Sequence, residues 1–394
     1  MSLAGIDTNF TLPARFYTSN EIFNEELERI FYGRWIYVAC EADLPKPGDY
    51  VALKIGTRSF FLQRTERGEV RGFYNVCRHR GHELVQGEKG NRKRLLCPYH
   101  NWSYDLNGNL LNARGMNPDF PKEDFGLNPI EVAVIGGLIY VCLTTPAPDD
   151  IELVRSMLSP YLAPYEVPKT KIAYQKDIIE ACNWKLVIEN NRECLHCPSN
   201  HPELLVPLYS SGFGKTEQRF QETLEEKEKE WESLGLPYEL LEFPDGLWFR
   251  TVRLPLANQC LSHTLKPEHA CKKLLGNFKR PEGSGLSLWT HPNSWNHFLS
   301  DHIITFAVFP LAVDRTLVRT KWLVAGDAVE GVDYDENLTM VWNQTNVQDQ
   351  SLAEGAYRGI CSGGYLPGPL ADEEYLVKQF LSWYSDQLNG TLEP

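Results

Sequence analysis

The sequence predicts an α+β protein, with a strand-rich block at about 41–150 and a mixed helix-and-sheet domain built from 1–40 and 151–394. Three observations carry this reading. Short β-prone runs at 51–54, 59–63, 70–75, 93–97 and 138–143 alternate with Gly, Pro and Asn turns. Downstream, helical stretches near 183–195, 216–234 and 372–389 are interleaved with strand runs at 295–298, 303–309 and 317–324. The length, 394 residues, exceeds one small module and suits two domains.

Taken in order, Ser19 and Asn20 cap an expected amphipathic helix over 19–32, in which Phe23, Leu27, Ile30 and Phe31 recur at helical spacing. The strand block follows and ends in a linker, Pro146-Ala147-Pro148-Asp149-Asp150. The run 303–309 is too apolar for a solvent-facing strand and belongs in the middle of an antiparallel sheet. The Glu/Lys-rich stretch 221–230 reads as a solvated helix face. No internal repeat or low-complexity tract interrupts the chain.

Hydrophobic residues at 42% and charged residues at 23% fit a globular protein with a real core. A net charge of -13 argues against nucleic acid or an anionic membrane surface as partner and favours a cationic substrate or a basic redox partner. With neither a charged-then-apolar leader nor an apolar stretch long enough to span a bilayer, a cytoplasmic protein is expected. In that compartment Cys40, Cys142, Cys182, Cys194, Cys197, Cys260, Cys271 and Cys361 should be reduced thiols.

The remaining two cysteines carry the chemistry. Cys77-Arg78-His79 and Cys97-Pro98-Tyr99-His100 are two mixed knuckles with seventeen residues between His79 and Cys97. One Cys and one His from each loop suit a Rieske 2Fe-2S cluster, with thiolates on one iron and imidazoles on the other. The rival is a structural Cys2His2 zinc site, although zinc motifs usually pair like with like. High-potential Rieske proteins brace these loops with a disulfide, but the corresponding positions here are His82 and Tyr99. The loops therefore resemble those of Rieske non-haem iron oxygenases, which feed electrons to a second, mononuclear Fe(II). The resemblance implies a Rieske domain over 41–150 and a helix-grip-like catalytic domain around a central antiparallel sheet.

The segment from Asn183 to Pro202 offers the second metal. His196 and His201, five apart, would point about 140° apart on an unbroken helix, so a break is required, and Pro198 and Pro202 supply it. Two histidines and one carboxylate leave open positions on Fe(II) for dioxygen and substrate. The spacing of Glu193, His196 and His201 resembles the oxygenase motif, which implies a distant Asp as third ligand. Asp349, in Asn346-Val347-Gln348-Asp349, fits that position and is expected to precede a helical stretch, with Asp333, Asp335 and Glu354 as rivals. The resemblance also gives Glu193 a role, bridging the mononuclear iron of one subunit to the Rieske histidine of the next, and hence implies a homotrimer.

Glu rather than Asp at 193, with the runs 315–324, 327–335 and 345–349, resembles the quaternary-amine branch, the glycine betaine monooxygenases and stachydrine demethylases. That branch hydroxylates an N-methyl carbon and releases formaldehyde. Val347 departs from the acidic residue expected there and leaves the exact betaine open. A quaternary ammonium has no N–H and is held by aromatic faces, for which Trp248, Trp289 and Trp295 are candidates. No dinucleotide fingerprint is present, so a separate NAD(P)H-dependent flavin and iron-sulfur reductase is expected. Alternatives are an aromatic-ring hydroxylating oxygenase and a non-enzymatic Rieske electron carrier.

Overall fold

The computed structural model describes residues 6–209 and 218–390. Two helices open the described chain, α1 (Arg15–Thr18) and α2 (Asn20–Glu26). Ser19 is extended and its side chain accepts the Ile22 N–H, so α2 starts at the expected cap. The helix does not stay regular to residue 32. It continues as a π-helical turn over Leu27–Tyr32, which buries Leu27, Ile30, Phe31 and Tyr32 together.

Ten strands make the first block. β1 (Ile36–Cys40), β2 (Asp49–Ile55), β3 (Arg58–Arg64), β4 (Val70–Tyr74) and β5 (Lys89–Asn91) are followed by β6 (Leu95–Leu96), β7 (Ser103–Tyr104) and β8 (Leu110–Asn112), then β9 (Pro129–Ile135) and β10 (Leu138–Cys142). One seven-stranded antiparallel sheet runs β1-β10-β9-β4-β3-β2-β5, and β6-β7-β8 form a small separate sheet. The fully buried β1, placed ahead of residue 41, pairs Ile36 with Val141. The first Cys–His loop leaves β4, and the second joins β6 to β7.

After α3 (Ile151–Leu162), the downstream chain builds a second seven-stranded antiparallel sheet. Its strands are β11 (Thr170–Glu180), β12 (Leu241–Glu242), β13 (Phe249–Pro255), β14 (Ser284–Thr290), β15 (Ser294–Leu299), β16 (Ile303–Ala312) and β17 (Arg315–Ala325), in the order β11-β17-β16-β15-β14-β13-β12. The apolar run 303–309 is β16, interior in the sheet and buried throughout, as its sequence requires. The helices are α4 (Trp184–Asn191), α5 (Cys197–Asn200), α6 (Gln218–Ser233), α7 (Asn337–Cys361) and α8 (Tyr375–Asn389). The 25-residue α7 packs on α4 and β11, and α4 also packs on β16.

A buried charge cluster ties the two sheets together. Asp43, with a fully buried side chain, takes Lys321 of β17 at 2.6 Å and Lys89 of β5 at 2.9 Å. Burial alone would push its carboxyl up, but the two ammonium groups outweigh burial and hold it well below the ordinary carboxylate range. Asp43→Asn would leave Lys321 buried without its counter-charge, and a loss of about 3–5 kcal/mol is expected in urea unfolding. Because the folded pKa is lowered, the wild-type contribution is full above the unfolded carboxylate pKa. It disappears as pH falls through the folded value, so the wild-type and variant stabilities should converge in acid.

Candidate metal centres and substrate cavity

The two Cys–His knuckles share one backbone design. Cys77 N–H donates to His82 O at 2.9 Å and Gly81 N–H to Cys77 O at 3.0 Å; Cys97 N–H donates to Trp102 O at 2.8 Å and Asn101 N–H to Cys97 O at 3.0 Å. Gly81 (φ 73°) and Asn101 (φ 58°) occupy the equivalent left-handed position in each turn, which Gly and Asn tolerate. Cys77 and Cys97 are buried, whereas His79 is exposed and His100 half-buried, with ring centroids 4.5 Å apart. His100 Nδ1 is buried without a hydrogen-bond partner, as a metal-ligating atom should be. Tyr104 holds its hydroxyl 3.3 Å from Cys77 Sγ, and Trp102 stacks on His79. The rings of His82 and Tyr99 lie 6.1 Å apart where the high-potential proteins carry a disulfide.

The expected helix near 183–195 starts at its Asn183 cap, whose side chain accepts the Lys185 N–H, but stops at Asn191. His196 and His201 therefore leave a turn rather than a helix face. They are the flanking residues of the four-residue α5, with Pro198 in its first turn, and their rings lie 4.9 Å apart at 83°. Asp349 lies in the middle of α7, not ahead of a helix as the sequence suggested. Its Oδ1 is 3.3 Å from His196 Nε2 and 2.9 Å from His201 Nε2. Neither Asp349 Oδ1 nor His201 Nε2 has a satisfied hydrogen bond, so the three side chains converge as a donor set that could hold an ion. Burial would raise Asp349, but the facing imidazoles outweigh it and hold the carboxyl below its ordinary value.

The rival acids are engaged elsewhere. Asp333 accepts the Val329 N–H, Asp335 the Asn337 N–H, and Glu354 the Ala181 N–H. Glu193 reaches His196 Nδ1 across the turn with one oxygen and accepts the Leu195 N–H with the other. The expectation of eight reduced thiols is corrected here: Cys194 and Cys197, brought together by the turn around His196, form a disulfide. Cys197 lies within reach of both imidazoles, but its sulfur is already bonded to Cys194.

A cavity opens onto these three residues. Its floor is Leu254 of β13, Ser287 and Trp289 of β14, and His297 of β15, and α7 contributes Trp342, Thr345 and Asp349 to one wall. Tyr209 and Phe220 also line it, so of the three tryptophans proposed from sequence, Trp289 faces the cavity. Trp295 stacks on Phe306 and borders a smaller recess behind Asp349, and Trp248 packs on Tyr140. The cavity volume is about 90 Å³. A larger recess, about 490 Å³, reaches His196 and Glu193 between Tyr17, Glu189 and Tyr365.

Residues 34–133 match the Rieske 2Fe-2S domain, and residues 168–390 match the catalytic domain of the ring hydroxylating alpha subunit. The chain belongs to the Rieske oxygenase alpha-subunit family. The glycine betaine monooxygenase oxygenase subunit of Pseudomonas aeruginosa (strain UCBPP-PA14) is 42% identical, covering 98% of this chain and 91% of the relative. That of Chromohalobacter salexigens is 40% identical, with 97% and 87% covered. The quaternary ammonium Rieske monooxygenase CntA, solved with L-carnitine, superposes with a TM-score of 0.72 at 22% identity, with 97% of each chain covered. Naphthalene 1,2-dioxygenase from Rhodococcus sp. gives 0.69 at 20% identity, with 98% and 95% covered, and both of these structures speak to the fold.

This Rieske oxygenase thus uses a 2Fe-2S cluster and a mononuclear iron, and the zinc reading falls away. Among the described residues no helix is long and apolar enough to cross a membrane. Several site residues escaped sequence reasoning. Gln348 Oε1 accepts from His201 Nδ1–H at 2.7 Å, and Gln348 Nε2 donates to Glu203, an outer layer that fixes the ring. Glu180, buried near Asp349, is pushed up to about 8 by burial and by the Asp349 charge. Gln348 adjoins Asp349 in sequence and could have been suspected; Glu180, Ser287, His297 and Trp342 carry no local signal.

Proposed function

We propose that this chain is the terminal oxygenase component of a Rieske monooxygenase that hydroxylates an N-methyl group of a betaine-like quaternary amine. The observation that carries the reading is an aromatic cavity, walled by Trp289, Trp342, Tyr209 and Phe220, that opens on His196, His201 and Asp349. Aromatic faces attract a cation that cannot donate a hydrogen bond.

In this reading Cys77, Cys97, His79 and His100 hold the cluster, and His196, His201 and Asp349 hold the iron. When bound, these groups supply one-electron transfer and dioxygen activation. Gln348 and Glu193 fix the two imidazoles through their second nitrogens. The aromatic wall turns an N-methyl group toward the three donors. Dioxygen, two electrons and two protons convert that methyl to a hydroxymethyl group and water, and the hydroxymethyl then leaves as formaldehyde with loss of a proton. A separate NAD(P)H-dependent flavin and iron-sulfur reductase supplies the electrons, and the working unit is a homotrimer in which Glu193 faces the neighbour's Rieske histidine.

The test is oxygen consumption with a surrogate reductase and a panel of betaines, carnitine, choline and simple arenes. Formaldehyde equal to the oxygen consumed is expected from a betaine. Formation of a diol or phenol from an arene, with no formaldehyde from any quaternary amine, would replace this reading with ring hydroxylation.

A further inference from the structure

A betaine has two ends, and the aromatic wall accounts for one. A carboxylate taken into a buried cavity needs hydrogen-bond donors. Among the described residues the cavity lining includes no Lys or Arg. With the N-methyl group turned toward His196, His201 and Asp349, the carboxylate lies away from them, where the described lining offers neutral donors. On α7, Trp342, Thr345 and Asp349 share one face, and Asp349 lies seven positions beyond Trp342, about 10 Å along the axis.

At the Trp342 end stands a built polar pair. His297 stacks on Trp342, with ring centroids 4.7 Å apart and planes at 24°. Its Nδ1 is 3.2 Å from Ser287 Oγ, and the two residues are direct cross-strand partners on β14 and β15. Trp342 is itself fixed, since its Nε1–H donates to His263 Nδ1 at 2.9 Å. Burial and the neighbouring His302 push His297 down to about 3, so the imidazole is neutral at physiological pH. If Ser287 donates to His297 Nδ1, the ring carries its proton on Nε2; if the ring donates from Nδ1, the Ser287 hydroxyl proton is released. Either arrangement leaves one donor for a ligand, and neither adds a positive charge that would oppose the ammonium.

We propose that Ser287 and His297 seat the carboxylate of the substrate, so that the enzyme selects quaternary amines bearing a carboxylate over those without one. The inference rests on the proposed N-demethylation of a quaternary amine and adds to it the recognition of the second charge.

The experiment compares glycine betaine with ethyltrimethylammonium, which keeps the cationic head and lacks the carboxylate. Formaldehyde release by the reconstituted enzyme gives kcat/KM for each, and calorimetry gives binding. Wild type should favour the betaine, and Ser287→Ala and His297→Gln should each cut the ratio of the two kcat/KM values by roughly tenfold or more, the scale of a hydrogen bond to a charged group. Because His297 is a core residue, Ser287→Ala is the lighter variant, and an unchanged cluster spectrum confirms folding. Equal losses for both amines, or an unchanged ratio in a folded Ser287→Ala protein, would overturn the seat. Failure of wild type to demethylate either amine would instead sink the proposed function, so the two outcomes are separable.

Discussion

Asp349→Ala is expected to abolish formaldehyde release, by on the order of 100-fold or more, and to lower iron from about three per chain to about two. The reason is geometric. Asp349 sits in the middle of a 25-residue helix that packs on α4 and β11, so its Oδ1 is held where both imidazole Nε2 atoms point. Its removal leaves His196 and His201 as a two-donor site, too few for stable Fe(II) ligation at a face. Iron analysis with the visible spectrum makes the test specific, because the knuckles at 77–79 and 97–100 belong to the upstream strand block and should keep their red-brown cluster. Glu354→Ala, at the rival acid on the same helix, should retain about three irons, since Glu354 accepts from Ala181 N–H and Gln350 instead. Loss of iron from the Glu354 variant, with retention in the Asp349 variant, would reverse the assignment.

What the sequence could tell follows from how local each signal is. The knuckles were legible because the ligands, the Gly81 and Asn101 turn positions and the intervening strands all lie within one stretch of chain. The interior placement of β16 was legible from its unbroken apolar run. The end of α4 at Asn191 was not, because Glu193 and Cys194 are compatible with helix, and it is the bond to Cys197 and the Glu193–His196 contact that hold the turn. Asp349 was found through resemblance; that it lies mid-helix depends on α7 continuing from Asn337, where polar residues mask the buried face of Leu338, Val341, Trp342 and Thr345. The Ser287–His297 pair depends on the β14–β15 register, and no window of sequence reports a cross-strand partner.

Glu193→Gln is expected to keep both metals and a reducible cluster while turnover falls by roughly tenfold or more. Glu193 holds His196 Nδ1 with one oxygen and the Leu195 N–H with the other, so its carboxylate orients the imidazole and sets its proton. It also lines both the substrate cavity and the larger recess bounded by Tyr17, Glu189 and Tyr365, which places it between the iron site and the outside of the subunit. In the Cys–His knuckles His79 is exposed and Tyr99 is half-exposed, so this edge is available to a neighbouring copy. Gln matches Glu in size and can still accept from Leu195 N–H, but it loses the charge that would polarise an imidazole on each side. Single-turnover reduction of the cluster should therefore proceed normally, and the loss should appear after it, in product formed per reduced cluster. Normal turnover of Glu193→Gln, or full activity of a wild-type monomer in gel filtration coupled to the formaldehyde assay, would remove the inter-subunit route and leave Glu193 as a support for His196 alone.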